Sequence, residues 1–311
     1  MKILVTGAAG FIGYHVSSEL AYRGHTVVGV DRDINGSAIR SKRFDLLEEA
    51  GVFQREVDIT HNCDRIDFSM FDFIFHLAAN ADVMHSLEQP AGYYMNNIVG
   101  TQNIIDGATL HNIPVIYASS SSVYSSNKCS TAKPYKENMV LNPPPNPYAM
   151  SKYVNESQFD QASIKSWGMR FFTVYGEWGR PDMALWKFTQ QIMNEETVTL
   201  RGNGKYIRDF THIDDLINAL ILVLDQRPKE SIINVGTGRC ITNERMVNII
   251  ENVTGIKANI EYEKANKYES KMTLADTSIL TSLGWESHTG IEVGIKSFVK
   301  WYKKAGGRYD A

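Results

Sequence analysis

Thr6-Gly7-Ala8-Ala9-Gly10-Phe11-Ile12-Gly13 joins a short apolar run, Lys2-Ile-Leu-Val-Thr6, to a stretch of helical periodicity, Phe11–Arg23. In that stretch Phe11, Ile12, Val16 and Leu20 share one face. A Gly-x-x-Gly-x-x-Gly loop between a strand and a helix predicts a dinucleotide cradle. Gly7 permits the tight turn, Gly10 lets backbone approach a pyrophosphate, and Gly13 allows close helix–strand packing. The N–H groups of Phe11 and Ile12 at the helix start suit phosphate oxygens.

Outward from this loop, apolar runs of strand length alternate with helical stretches. The predicted strands are Lys2–Thr6, Thr26–Val30, Phe73–Leu77, Val115–Ala118, Met169–Val174 and Ile232–Val235. Gly92–His111 reads as one long helix, and further helices are expected near 183–194, 213–225 and 242–254. This alternation predicts an α/β fold, a Rossmann-type doubly wound parallel sheet. A smaller C-terminal substrate-binding domain is expected beside it. Residues 1–168, with about 209–236, are assigned to the first domain, and 169–208 with 237–311 to the second. Ligands of such sheets bind at the carboxyl ends of strands, so Gly7, Asp31, the Ala78-Ala79 segment, the serine run at 119–122 and Thr173 are expected to converge.

Asp31 ends the second strand, where a carboxylate accepts from both hydroxyls of an adenosine ribose and repels a 2′-phosphate. That favours NAD over NADP. Arg32, the next residue, either attracts the 2′-phosphate or lies over the adenine. Asp58 and Ile59 follow another short segment and are either an adenine contact or a solvated turn.

Ser119-Ser120-Ser121-Ser122-Val123-Tyr124 is followed by Tyr148-Ala-Met-Ser-Lys152. Tyrosine is a poor base in water, with a pKa of about 10. A lysine ammonium four residues on shares its helix face and favours the phenolate, as does a positive nicotinamide ring. Asn142-Pro-Pro-Pro-Asn-Pro147 cannot be helical, whereas Asn146 suits an N-cap and Pro147 the first helical position. A helix over about 147–165 is therefore expected, with Tyr148 in its first turn. This set is the chemistry of alcohol–ketone interconversion with a nicotinamide.

The chain has 311 residues, 43% of them hydrophobic, and a net charge of −3. No basic block points to nucleic acid or an anionic membrane surface. The N-terminus shows no basic region followed by an apolar run, and no segment reads as transmembrane, so a cytoplasmic protein is expected. Cys63, Cys129 and Cys240 lack metal-ligand spacing and read as reduced thiols, and no metal is expected.

On these residues the chain resembles the extended short-chain dehydrogenase/reductase superfamily, in particular its nucleotide-sugar epimerases and dehydratases. The resemblance runs over essentially the whole sequence. His76-Leu77-Ala78-Ala79 is similar to the strand-end segment lining the cofactor. Asn96-Asn97-Ile-Val-Gly-Thr101 is similar to a helix whose asparagine, Asn97 here, supports cofactor and active-site helix. Arg208-Asp-Phe-Thr-His-Ile-Asp-Asp215 resembles the segment whose arginine meets the substrate pyrophosphate. Ser119 falls with the cofactor contacts. Met169-Arg-Phe-Phe-Thr-Val-Tyr-Gly-Glu-Trp-Gly-Arg-Pro-Asp-Met183 is similar to the segment of UDP-glucuronate 4-epimerases, which implies Thr173 and Arg180 as contacts to a sugar carboxylate or to phosphates. The sequence departs from its relatives in four places. Ser125 stands for the usual Gly, Glu177 for a frequent Pro, and Glu269 for an Asp at a substrate contact. Asn266 also stands where relatives carry an Arg, a place that Lys264 or Lys267 could fill.

The resemblance implies that Tyr148 takes the sugar 4-hydroxyl proton and Ser120 bonds the 4-oxygen. It also implies that Lys152 holds the nicotinamide ribose, with NAD tightly bound and recycled. Dehydratases of the family carry Asp-Glu after the catalytic serine and decarboxylases a Glu nearby. Ser121-Ser122 supplies neither, which favours simple C4 epimerisation. Ser121, Ser122 and Thr173 could hold a glucuronate carboxylate so that a 4-keto intermediate does not lose CO₂. The expected activity is UDP-glucuronate 4-epimerase. The alternatives are a UDP-glucose or UDP-N-acetylglucosamine 4-epimerase, a UDP-glucuronate decarboxylase and a non-catalytic NAD-binding scaffold. A homodimer is expected by family analogy.

Overall fold

The computed structural model describes residues 1–33, 36–131, 133–265, 268 and 270–309. Its strands are β1 (Lys2–Thr6), β2 (Thr26–Asp31), β3 (Phe53–Glu56), β4 (Phe73–His76), β5 (Val115–Ser120), β6 (Ser166–Phe171), β7 (Thr173–Tyr175), β8 (Thr197–Arg201), β9 (Ile207–His212), β10 (Ile232–Val235), β11 (Cys240–Thr242) and β12 (Asn259–Glu263). Its helices are α1 (Phe11–Tyr22), α2 (Ala38–Glu49), α3 (Val83–Glu88), α4 (Pro90–Tyr94), α5 (Gly100–Leu110), α6 (Pro147–Gln161), α7 (Ala184–Met193), α8 (Ile213–Gln226), α9 (Asn243–Thr254), α10 (Ser278–Ser282) and α11 (Ile291–Lys304).

A seven-stranded sheet runs β10-β6-β5-β4-β1-β2-β3. The pairs β1–β2, β1–β4, β2–β3 and β4–β5 are parallel. Its central strands are apolar on both faces, as two-sided burial requires: Ile3, Leu4, Val5, Phe73, Ile74 and Phe75 have no exposed surface. The strand order reverses between β1 and β4, so the ligand crevice of this fold class opens at their carboxyl ends. The doubly wound Rossmann-type sheet expected from the sequence is present.

The chain divides into two compact units. The first holds residues 1–126, 141–170 and 220–233. The second holds 127–140, 171–219 and 234–311. In the second unit β11-β9-β7 form one small sheet and β12-β8 a parallel pair. Trp186 of α7 packs edge-on against Phe298, Trp301 and Tyr302 of α11.

Several elements differ from expectation. The run Met169–Val174 is two strands in two sheets, β6 ending at Phe171 and β7 beginning at Thr173. The helix expected at 92–111 starts at Pro90 and is interrupted by a π-helical turn over Met95–Val99. Side chains of α6 explain the wide turn. Asn155 donates to the Asn97 carbonyl (2.6 Å) and Gln158 to the Ile98 carbonyl (3.1 Å), drawing both towards α6. The helix at 147 stops at Gln161 rather than 165. Strand β3 is short and exposed, and helix α2 is largely polar. They carry little apolar periodicity to betray them.

Candidate active site

The glycine cradle is built as its spacing requires. Gly7 has φ +71°, and a β-carbon on it would lie 2.7 Å from the Ala78 nitrogen beyond β4. A β-carbon on Gly13 would lie 2.0 Å from the Gly7 carbonyl oxygen, and one on Gly10 2.9 Å from the same atom. The turn closes through Gly7 N–H to Val30 O (2.8 Å) and Gly10 N–H to Gly7 O (2.9 Å). Helix α1 starts at Phe11 with Gly10 as its cap, no side-chain acceptor from that cap and no acid in its first turn. Its N–H groups and dipole therefore present uncompensated positive potential, beside Ile12 and Gly13. These residues fit a dinucleotide pyrophosphate.

Asp31 is the last residue of β2. Its carboxylate accepts from Ala9 N–H (3.1 Å) and Arg32 N–H (2.9 Å) and pairs with the Arg40 guanidinium. Burial pushes its pKa up; Arg40 and the backbone donors oppose that rise. Arg40 and the buried Arg43, which donates to Ala9 O at 3.1 Å, come from α2 and were not anticipated. A polar helix with no apolar stripe gave no signal for them. The Arg32 guanidinium bonds Asn96 (3.0 Å) and Asn80 (2.9 Å). Asp58 accepts from the Thr60 N–H and hydroxyl, forming its own turn, and the Ile59 side chain belongs to the core.

At the end of β4 the His76 ring lies between two hydroxyls, whose other partners assign its tautomer. Leu77 N–H and Ala78 N–H both donate to Thr6 Oγ1 (3.2 Å each), so that hydroxyl donates to His76 Nδ1 (2.8 Å). The proton of the ring is then on Nε2, directed to Thr101 Oγ1 (2.8 Å). Burial holds this imidazole neutral, with a pKa pushed down to about 3. The ring thus locks together the ends of β1 and β4 and helix α5. The segment Leu77-Ala78-Ala79 follows from that lock.

Asn97 lies in the π-helical turn with no exposed surface. Its amide donates to Asn80 O (2.9 Å) and Ser151 Oγ (2.9 Å) and accepts from Asn80 N–H (2.8 Å). Ser151 Oγ donates in turn to the Tyr148 carbonyl (2.7 Å). Asn97 therefore reaches the first turn of α6.

Helix α6 begins as its sequence dictates. The Asn146 side chain accepts from Ala149 N–H (2.9 Å) and Pro147 fills the first position. Tyr148 is half-buried, with the Tyr93 ring edge-on at 6.4 Å. Lys152 is 4% exposed, and its ammonium donates to the Ala118 carbonyl (2.8 Å). Burial pushes its pKa down to about 8, against the opposing Glu156 carboxylate. Strand β5 runs two residues beyond Ala118, to Ser120, so the serines emerge from the strand itself. Ser120 caps the short 3-10 turn Ser121–Tyr124, accepting from Ser122 N–H and donating to Ser122 Oγ (3.1 Å each). Ser119 Oγ donates to Glu156 (2.5 Å). Glu156 escaped the sequence reading, although its place one turn beyond Lys152 was a usable signal.

In the second unit Thr173 opens β7. Arg180 pairs with the Asp182 carboxylate. Arg208 lies over the Tyr206 ring (5.2 Å) and donates to Ile207 O (3.0 Å). Glu269, with Asn266 and Lys267, lies outside the described residues. Among the described residues no cluster of His, Cys, Asp or Glu could hold a metal, and no helix is long and apolar enough to cross a membrane.

A parallel sheet with a glycine cradle at its switch point and a Ser/Tyr/Lys set on the neighbouring strand and helix defines a nicotinamide-dinucleotide enzyme. Residues 3–236 match the family described as NAD dependent epimerase/dehydratase, and the chain belongs to it. UDP-glucuronate 4-epimerase 1 of Arabidopsis thaliana is 34% identical over 331 residues, covering 97% of this chain and 76% of that one. The solved UDP-glucuronic acid 4-epimerase of Bacillus cereus, in complex with UDP-glucuronic acid and NAD, superposes with a TM-score of 0.88. It is 30% identical, and the match covers 98% of this chain and 99% of that one. The UDP-glucose 4-epimerase of Thermotoga maritima superposes with a TM-score of 0.87 at 29% identity, over 98% and 99% of the two chains. The chain is thus an NAD-dependent enzyme of the nucleotide-sugar epimerases and dehydratases.

Proposed function

We propose that the protein is a UDP-glucuronate 4-epimerase, interconverting UDP-glucuronate and UDP-galacturonate. The observation that carries this reading is the turn after β5. Ser120 is followed by Ser121 and Ser122, so the turn itself supplies no carboxylate to drive elimination or decarboxylation. The likeness of the Met169–Met183 segment with Arg180 to UDP-glucuronate 4-epimerases, and the relatives of that name, support a 6-carboxylate substrate.

Gly7, Gly10, Gly13 and the first turn of α1 would hold the NAD pyrophosphate, Asp31 the adenosine ribose and Lys152 the nicotinamide ribose. NAD, when bound, supplies the acceptor for hydride from sugar C4 and its return to the opposite face. Tyr148 takes the proton of the 4-hydroxyl as hydride leaves and gives it back to the inverted 4-oxygen. Ser120 bonds that oxygen in both configurations. The Lys152 ammonium favours the phenolate. Ser121 and Ser122 hold the carboxylate so that the C5–C6 bond is poorly aligned for loss of CO₂. Arg208 faces the substrate pyrophosphate as a charge-assisted donor.

A second copy of the chain is the proposed partner. Tyr94, Met95 and Val99 along the α4–α5 stretch and Tyr153 on α6 are each more than a third exposed, which supports pairing of these helices. Sedimentation of the purified protein tests it. The substrate is tested by comparing kcat/KM for UDP-glucuronate, UDP-glucose and UDP-N-acetylglucosamine. Preference for the carboxylate supports the proposal. Equal or better turnover of UDP-glucose would transfer the chain to the neutral-sugar epimerases.

A further inference from the structure

Tyr148, Lys152 and Glu156 occupy three successive turns of one face of α6. Two of them grip consecutive residues at the end of β5. Lys152 donates to the Ala118 carbonyl (2.8 Å), and Glu156 accepts the Ser119 hydroxyl (2.5 Å). The next residue along the strand is Ser120. Glu156 is itself fixed from behind. Arg170 of β6 meets it with two parallel bonds, Nε to Oε1 at 2.8 Å and Nη2 to Oε2 at 2.7 Å. The side chains of this pair are 4% and 11% exposed. Arg170 also donates to the Tyr124 hydroxyl (2.5 Å) and lies 4.7 Å over that buried ring.

A buried, bidentate pair of this kind adds little net stability over apolar residues of the same volume. What it does provide is a carboxylate of fixed position and charge. We propose that Glu156 is a positioning residue of the active site: braced by Arg170, its carboxylate seats Ser119, and with it Ser120, against the tyrosine helix, and keeps Lys152 as an ammonium. The inference rests on the assignment of Tyr148 and Lys152 given above. Burial alone drives Lys152 towards neutrality, and Glu156 is the group that opposes it. His76 of β4 lies near Lys152, while the Glu156–Arg170 pair also meets the Tyr117 phenol of β5, with Asp160 of α6 near that phenol, and the Tyr124 hydroxyl in the following turn. His76 is neutral, and the Tyr117 phenol is pushed up by burial, so neither supplies charge near neutral pH. Arg170 is committed to Glu156.

The test uses the full-length, NAD-loaded protein and the pair replacement Glu156→Gln with Arg170→Met, which strands neither member of the ion pair. The titration of Lys152 is read by NMR of lysine labelled with carbon-13 at Cε, and kcat is followed from about pH 6 to about pH 9. The midpoint of Lys152 is expected to fall by about one unit, the alkaline limb of kcat to move with it, and kcat at the upper end to fall roughly tenfold. Glu156→Gln alone is expected to melt lower than the double variant, because it strands Arg170. Ser119→Ala keeps the carboxylate and is expected to lower kcat without moving the Lys152 midpoint. A double variant that folds, binds NAD and titrates at Lys152 as the parent does would overturn the electrostatic half of the proposal. Undiminished kcat in Ser119→Ala would overturn the seating half. The NMR titration needs no turnover, so failure of the substrate assignment is distinguishable from failure here.

Discussion

Gly13 stands so close to Gly7 that a β-carbon on the former would lie 2.0 Å from the carbonyl oxygen of the latter. The contact is with backbone at the turn that closes the cradle, so nothing nearby can swing aside. Gly13→Ala is expected to destabilise the fold by about 1–3 kcal/mol, the usual range for overpacking. It should also lower NAD content and affinity more than tenfold. Thermal melts with and without added NAD, beside the nucleotide released on denaturation, check this.

Tyr148→Phe removes the proposed acid–base group and leaves its ring in place against Tyr93. Turnover is expected to fall roughly 10²–10⁴-fold, the range for a lost general acid–base catalyst. The melting temperature and bound NAD should be unchanged. Near-parental turnover would remove the phenol from the mechanism.

His76 carries a pH signature in stability. Its pKa is about 3 in the fold, by burial, against an ordinary value of 6.5. Between those values the unfolded chain binds one proton more than the native chain at this site, so stability rises with pH across that window. His76 adds roughly 1.4 kcal/mol per pH unit there, and the effect is fully present above the unfolded value. Urea midpoints measured between about pH 5 and about pH 8 should therefore decline on the acid side. The slope should be shallower in His76→Gln, whatever the absolute stability of that variant. Equal slopes would mean that the ring takes up its proton in the native chain as readily as in the unfolded one.

Ser121→Ala and Ser122→Ala test the restraint on the carboxylate. Each is expected to raise the ratio of UDP-pentose to UDP-galacturonate formed from UDP-glucuronate, with the double variant leaking more than either. Product ratios by NMR decide it. An unchanged ratio would mean that other groups prevent loss of CO₂.

Much of the first unit was legible because its signals are local. The glycine spacing, the two-sided apolar runs of β1, β4 and β5, and the Asn146-Pro147 start of α6 each need only their neighbours in sequence. Asn97 and the Ser/Tyr/Lys set likewise rest on short spacings or resemblance. What escaped depends on contacts between distant segments. The π-helical turn at 95–99 is set by Asn155 and Gln158 of another helix. The break between β6 and β7 falls inside one unbroken apolar run, which periodicity cannot divide. Arg40 meets Asp31 from a helix whose sequence is too polar to announce itself. Arg170 reaches Glu156 and Tyr124 from a strand, and only the fold brings those three together.

The most direct test is to incubate the purified protein, without added NAD, with UDP-glucuronate carrying deuterium at C4, and to follow the products by NMR. The expected result is UDP-galacturonate that keeps its deuterium at C4, with no net reduction of cofactor. UDP-pentose as the main product, or UDP-galacturonate whose C4 carries hydrogen from solvent, would contradict a 4-epimerase that takes and returns the same hydride.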